Sequence, residues 1–278
     1  MELRRKRLAN AERVKELVDS AFASRYHDLA TMLKFSSTAV ALAEEKSHEL
    51  PSDLVVAAWT QYGNALRIAG RYDEAERALE RAAALPAADL STKTHLLEVK
   101  ASLHRNTDKF ESAAQFLTAA IDAHRSIGDS HSEARTWNLL GIVYLDMKDR
   151  SRALRAFQTA LDLVGPDAPL DLIASTGHNL LETLIADGRL SAASSALMLL
   201  EPFYRRLTST RLSAKVEGLR ARLCRELRQF PAAKLAYERA YALLLTEPRF
   251  PELPELPDLL KEMADLEATM NEQETERE

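Results

Sequence analysis

Between Ala134 and Pro166 the chain carries two apolar stripes separated by a polar turn. Trp137, Leu140, Gly141 and Tyr144 recur at i, i+3, i+4 and i+7, the spacing that puts side chains on one face of a helix. Ala153, Phe157, Ala160 and Leu161 do the same further on, and Met147 to Arg150 supplies the polar turn between them. The stretch therefore predicts a helical hairpin. Its small residues, Gly141 and Ala153, let the two backbones approach closely.

The same pattern recurs along the chain. A small residue opens each predicted second helix at Ala75, Ala113, Ala153, Ala193 and Ala233, with spacings of 38, 40, 40 and 40 residues. The first hairpin has Trp59, Gly63 and Leu66 on its first helix, a turn at Gly70-Arg71, then Ala75, Leu79 and Ala82. The second keeps Ala101, Ala113, Leu117 and Ala120 but departs at Leu97, Lys100 and His104. The fourth keeps Leu180, Leu184, Ala193 and Leu197 around the turn Asp187-Gly188-Arg189, with Gly177 at the Trp position. The fifth keeps Ala221, Ala233, Tyr237 and Ala240, and Pro231 stands where a helix start tolerates it. Upstream, Ala11 to Ala23 and Asp28 to Lys46 predict two amphipathic helices whose Ser36, Val40 and Ala43 echo the spacing as a degenerate unit. Downstream, Pro248, Pro251, Pro254 and Pro257 recur every third residue, which predicts an extended polyproline-II segment. Asp258 to Met270 then predicts a short capping helix before an acidic tail.

The order Trp137, Leu140, Gly141, Tyr144, then Ala153, Phe157, Ala160 and Pro166, resembles a tetratricopeptide repeat. The family period is about 34 residues, so each unit here is longer, as in long-period bacterial repeats of this kind. The resemblance implies an all-α fold, a right-handed α-solenoid of antiparallel helical hairpins. It divides the chain into N-terminal capping helices over 1–50, five hairpins over 51–247, a Pro-rich segment over 248–257, and a capping helix with an acidic tail over 258–278. It also implies a non-enzymatic scaffold, adaptor or regulatory subunit that binds a protein partner. The alternative is a sensor of a small peptide or metabolite, comparable to the repeat domains of bacterial transcription regulators.

Composition narrows this further. Hydrophobic content of 46% with 6% aromatics and eight Gly fits helices packed through small side chains. A net charge of −5 disfavours wholesale nucleic-acid coating. The single Cys224 allows no intramolecular disulfide and no thiolate metal cluster, which reads as a reducing cytoplasm. The N-terminal stretch is interrupted by Glu12, Lys15, Glu16 and Asp19 and lacks the apolar core of a signal peptide. No apolar run is long enough to span a bilayer. The expected protein is cytoplasmic, without a membrane contact, cofactor or metal.

Candidate contacts lie on the faces of the first helices that packing does not use. The resemblance places Thr60, Asn64 and Arg67 there, then His95, Glu98, Ser102, Arg105 and Asn106, then Arg135, Asn138, Ile142, Leu145 and Asp146. His178, Glu182 and Ile185 follow, then Lys215, Arg222 and Arg225. Amide and guanidinium groups clamp carboxylates and extended backbones, so Asn64, Arg105, Arg135 and Asn138 form a candidate peptide site, although Thr60 stands where a carboxylate clamp would have Lys. A solvated groove is the competing reading. From Tyr204 to Arg228 there are eight Arg or Lys against Glu217 and Glu226. Within it, Lys215, Arg222 and Arg225 share a helical face suited to an acidic partner segment, a nucleic-acid backbone, or the chain's own acidic tail. Nucleic acid is disfavoured because no aromatic side chain interleaves to stack bases.

The pairs His178/Glu182 and His95/Glu98 each suit a metal, but they sit in alternate repeats and adjacent helices pack about 8–10 Å apart, so they build no common site. No HExxH, phosphate loop or nucleophile elbow is present. Trp59, Trp137, Tyr144 and Cys224 fall on packing positions.

Overall fold

The computed structural model describes residues 2–25, 28–86, 89–165, 168–248 and 252–275, with residues 2–6 and 274 described by their backbone alone. Among the described residues all regular structure is helical and no strand occurs. The chain divides into two compact units, Met1–Met147 and Lys148–Glu278.

The first unit contains α1 (Glu2–Ser24), α2 (Leu29–Glu45), α3 (Ser52–Ile68), α4 (Tyr72–Ala83), α5 (Leu90–Asn106), α6 (Phe110–Ser126) and α7 (Ser130–Asp146). The pairs α1–α2, α3–α4 and α5–α6 pack as hairpins, α2 lies on α3, α3 meets α5, and α6 lies on α7. The second unit contains α8 (Arg150–Leu163), α9 (Leu170–Ala186), α10 (Leu190–Tyr204), α11 (Thr210–Glu226), α12 (Phe230–Leu245) and α13 (Leu256–Thr275). Here α9–α10 and α11–α12 are the hairpins, with α8 on α9, α9 beside α11, and α12 on α13. The fold is thus the expected all-α array of helical hairpins, each unit repeating the same motif.

The repeat markers do the packing the periodicity predicts. Ala75, Ala113, Ala153, Ala193 and Ala233 are all 0% exposed, as is Ser36 in the N-terminal pair. At two of the contacts between first and second helices a glycine allows the close approach. A Cβ on Gly63 would lie 2.6 Å from Leu79 Cδ2, and one on Gly177 would lie 2.5 Å from the Tyr204 hydroxyl.

The first helices α3, α5, α7, α9 and α11 end in the same way. The residue past each end adopts a positive φ at Gly70 (74°), Asp108 (57°), Lys148 (62°), Gly188 (70°) and Arg228 (57°). At four of these the next backbone N–H reaches five residues back: Arg71 to Leu66, Lys109 to His104, Arg189 to Leu184 and Gln229 to Cys224, at 2.8–2.9 Å. That six-to-one bond under a left-handed residue is a Schellman stop, which satisfies a carbonyl the helix leaves unpaired. Aspartates or a serine cap the starts of several helices. Asp28, Asp89, Asp129, Asp149 and Ser209 accept from the backbone N–H three residues on.

Two expectations change. The first helix runs from Glu2 rather than Ala11, because its charged start is made of good helix formers. The Pro-rich stretch does not stay extended to residue 257. Pro254 and Glu255 form a turn and α13 begins at Leu256, with Pro257 in the first turn, where its missing N–H costs nothing. Pro251 lies outside the described residues. Leu253, Leu256, Leu259 and Leu266 are buried in one core cluster with Ala236, Tyr237, Ala240 and Leu244 of α12, so α13 caps the last hairpin.

Candidate functional site

In the first unit the first-helix residues join into polar ladders that run from one repeat to the next. The Asn64 amide oxygen accepts from Arg67 Nε at 3.1 Å and Nη2 at 2.9 Å, and Arg67 Nη1 donates to the Asn106 amide oxygen on α5 at 2.8 Å. Burial holds the Arg67 guanidinium below its ordinary pKa. On α5 the Glu98 carboxylate accepts from the Thr136 hydroxyl of α7 at 2.7 Å and lies 3.3 Å from His124 Nε2. Arg105 pairs with Asp146, again from α5 to α7. These contacts span 38 to 41 residues in sequence, the repeat period.

That network corrects part of the predicted site. Asn64 and Asn138 are 8% and 7% exposed, so their amides are structural groups and not open clamps. Thr60 is fully buried, its hydroxyl donating to the Val56 carbonyl at 2.8 Å. Arg105 is exposed but engaged by Asp146, so of the four residues grouped as a peptide site Arg135 is the exposed one that no ion pair holds among the described residues. Ile142 on α7 is half-buried. His95 stacks edge-on to Phe22 with ring centroids 6.4 Å apart, while its pair-mate Glu98 turns to Thr136 and His124. Trp59, Trp137 and Tyr144 pack against the core clusters, as their spacing required.

In the second unit the basic stripe is not a bare face. Arg222 donates to Glu182 on α9 at 3.1 Å and lies 3.8 Å from Glu262 on α13, Lys215 lies 3.7 Å from Glu255, and Arg225 pairs with adjacent Glu226 at 3.4 Å. His178 Nε2 lies 3.4 Å from Glu182, and these contacts hold the Glu182 carboxyl down to about 2: His178 first, then Arg222, against the opposing effect of burial. Burial raises the Cys224 thiol above its ordinary range, and the side chain packs half-buried against the last core cluster.

The carboxylates that meet the stripe come from α13 and the turn before it, not from the terminal acidic tail. Residues 255, 258, 262 and 265 follow residues 215, 218, 222 and 225 by one period of 40. α13 therefore continues the register of the first helices, a role that the prolines ahead of it obscured in sequence. Together α9, α11 and α13 enclose a cavity of about 520 Å3 lined by His178, Glu182, Lys215, Arg222, Arg225 and Glu262 among others.

No group of three or more His, Cys, Asp or Glu is placed to hold a metal among the described residues. Nor is any described helix long and apolar enough to cross a membrane.

Hairpins in fixed register, joined by polar ladders along their first helices, define a helical-repeat protein. Residues 56–89 and residues 94–164 match two family models, each described as Tetratricopeptide repeat. Over these residues the chain carries tetratricopeptide repeats. No curated protein matches the sequence. Among solved structures, the apo form of RapI is similar with a TM-score of 0.70 at 12% identity, over 93% of this chain and 72% of that one. The apo form of the quorum sensor NprR from B. thuringiensis gives 0.66 at 14% identity, over 88% and 68%. BtubC (BKLC) from P. vanneervenii gives 0.65 at 15% identity, over 87% and 94%. At these identities the likeness is one of fold.

Proposed function

We propose that this protein is a non-enzymatic scaffold that holds a segment of a partner protein against the faces of its first helices. The observation that supports the reading most directly is the placement of polar side chains. Arg67, Glu98, Arg105, Arg135, Asp146, Glu182 and Arg222 occupy first-helix positions that core packing does not use. Tetratricopeptide repeats are suited to such a role because a repeated array presents many weak contacts in fixed register. The partner contact on the first unit centres on Arg135 and Ile142, an exposed guanidinium and a half-buried apolar group two turns apart on α7.

The test is affinity capture by the full chain from a lysate of its source, followed by mass spectrometry, for wild type and Arg135→Glu. One dominant protein should bind wild type and be depleted about tenfold or more with Arg135→Glu. An unchanged capture profile would remove the first unit's face from the site. A second reading, a sensor of a small peptide or metabolite, draws its support from the cavity in the second unit, whose volume lies in the range of small-ligand sites. The fold likeness to the quorum sensor NprR is compatible with it.

A further inference from the structure

The floor of the cavity in the second unit contains a glycine that packing does not explain. Gly63 and Gly177 sit where any Cβ would strike the facing helix, at 2.6 Å and 2.5 Å. Gly218, in the middle of α11, has nothing within 4 Å of the position a methyl group would take. A glycine inside a helix costs about 1 kcal/mol relative to alanine. Here that cost returns no closer packing. Its effect is to leave space at the register position where the two preceding first helices carry Asn138 and His178.

The charges around that space are also unevenly satisfied. Lys215 and Arg222 have carboxylate neighbours. Asp258 and Asp265, two turns apart on α13, line the cavity without an ion pair among the described residues. Arg225, forty residues before Asp265, pairs with Glu226, its neighbour in the chain. The Nδ1 atom of His178 is buried with no hydrogen-bond partner. The lining holds five carboxylates against four Lys or Arg, so a polyanion is repelled and a simple cation meets opposing guanidinium charge. From Lys215 to Arg225 the helix advances roughly 15 Å at about 1.5 Å per residue. An extended chain covers that length in about four or five residues.

We infer that this cavity binds a segment of four or five extended residues in which a cationic side chain neighbours a carboxylate, the cation meeting Asp265 or, two turns away, Asp258, and the carboxylate meeting Arg225. The inference rests on the reading that the chain binds protein segments, and it adds where one segment lies and what charges it bears. Gly218 gives the backbone of that segment its room.

The experiment uses the full chain and fluorescein-labelled pentapeptide pools, acetylated and amidated at their ends, read by anisotropy. The pools are Lys/Glu mixed, Lys/Ala, Glu/Ala and Ser/Ala. The mixed pool should bind at least about tenfold more tightly than the others, since each satisfied charge pair contributes on the order of a factor of ten. Gly218→Leu should weaken it about tenfold or more by filling the floor, whereas Gly218→Ala should stay within about threefold of wild type. Asp258→Asn with Asp265→Asn should move the preference from the mixed pool to the Glu/Ala pool. Equal binding of all pools overturns the inference, as does binding that needs free peptide termini, or a folded Gly218→Leu chain that holds the mixed pool as wild type does. Selective binding that Gly218→Leu removes would stand even if Arg135→Glu left partner capture unchanged. Loss of capture with Arg135→Glu but no pool selectivity would leave the scaffold reading in place and remove the cavity as its site.

Discussion

Alanine placed at Gly177 and at Gly218 should shift stability in opposite directions, and the difference measures how tightly one hairpin is closed. Both glycines lie inside first helices of the second unit, so both substitutions gain about 1 kcal/mol of helix propensity. At Gly218 nothing opposes that gain. At Gly177 the new methyl meets the Tyr204 hydroxyl at 2.5 Å and Leu200 Cδ1 at 2.7 Å, both on α10. Tyr204 and Leu200 are 7% exposed, so neither has a free path to retreat. Overpacking of this kind costs about 1–3 kcal/mol, which leaves Gly177→Ala destabilising by about 0–2 kcal/mol once the propensity gain is deducted. The two variants should therefore differ by about 1–3 kcal/mol, with propensity cancelling from the difference. Urea unfolding followed by circular dichroism reads this as a higher midpoint for Gly218→Ala and a lower one for Gly177→Ala at unchanged slope. Tyr204→Phe supplies the internal check. Its hydroxyl is buried without a hydrogen-bond partner, so removing it should be close to neutral alone and should reduce, not abolish, the cost of Gly177→Ala, because Leu200 remains. Equal shifts for the two alanine variants would refute the close approach at Gly177.

Three further outcomes follow from the same structure. Arg228→Gly should stabilise by about 0.5–1 kcal/mol and Asp108→Gly by less, since both residues hold a left-handed φ of 57° that glycine adopts freely and aspartate tolerates better than arginine; melting temperatures would show it. Thr136→Val should destabilise the first unit by about 1–3 kcal/mol, because it leaves the Glu98 carboxylate without the hydroxyl it accepts from at 2.7 Å; urea midpoints check this against Thr118→Val, whose hydroxyl is exposed and bonds only its own helix. Acidification should weaken the second unit through Glu182. Its folded pKa is depressed to about 2 from 4.5, so its contribution is complete above pH 4.5 and is lost as pH falls toward 2. The carboxylate is 47% exposed, which screens the effect, so the test is comparative: Glu182→Gln should flatten the pH dependence of the urea midpoint in that window, and an identical profile would exclude the contact.

The architecture was legible because its determinants are short-range and repeated. A buried alanine every 38 to 40 residues, an i, i+3, i+4, i+7 stripe before it and a turn between them require no knowledge of distant contacts. The turns were half legible. Gly70 and Gly188 announce a left-handed residue, but Asp108, Lys148 and Arg228 occupy the same register position without glycine's signal, and the period alone identifies them. The site was less so. Asn64 and Asn138 stand on first-helix positions with the right chemistry, yet both are buried, because a half-buried position can be closed by neighbours from the next repeat. Asn64 is closed by Arg67 of its own helix, which is in turn tied to Asn106 of the next repeat, thirty-nine residues on. The sequence sets the start of α13 two residues late for a different reason: prolines at every third position match an extended segment, and a proline in a helix's first turn gives the same letter. The signal for its register is the offset of 40 from Lys215 and Arg222 to Glu255 and Glu262.

That offset bears on what the basic stripe is for. In the first unit, Arg67 and Arg105 are each satisfied by the next first helix, through Asn106 and Asp146, and the ladder closes on itself. In the second unit Arg222 is met from both sides, by Glu182 on α9 and Glu262 on α13, so acid, base and acid alternate across three helices. Alternation neutralises the stripe on average, which removes the long-range attraction a bare run of Arg and Lys would exert on any polyanion. What remains is short-range and positional: Asp258, Asp265 and Arg225 around a floor opened by Gly218. A surface of that kind discriminates by the order of charges on its ligand, not by their sum, because a segment with the wrong sequence of charges brings like against like at each position. Binding governed by order should weaken only modestly with salt. Loss of the mixed-pool preference as salt rises to about 0.15 M, where the Debye length falls to about 8 Å, would argue instead for a diffuse charge effect.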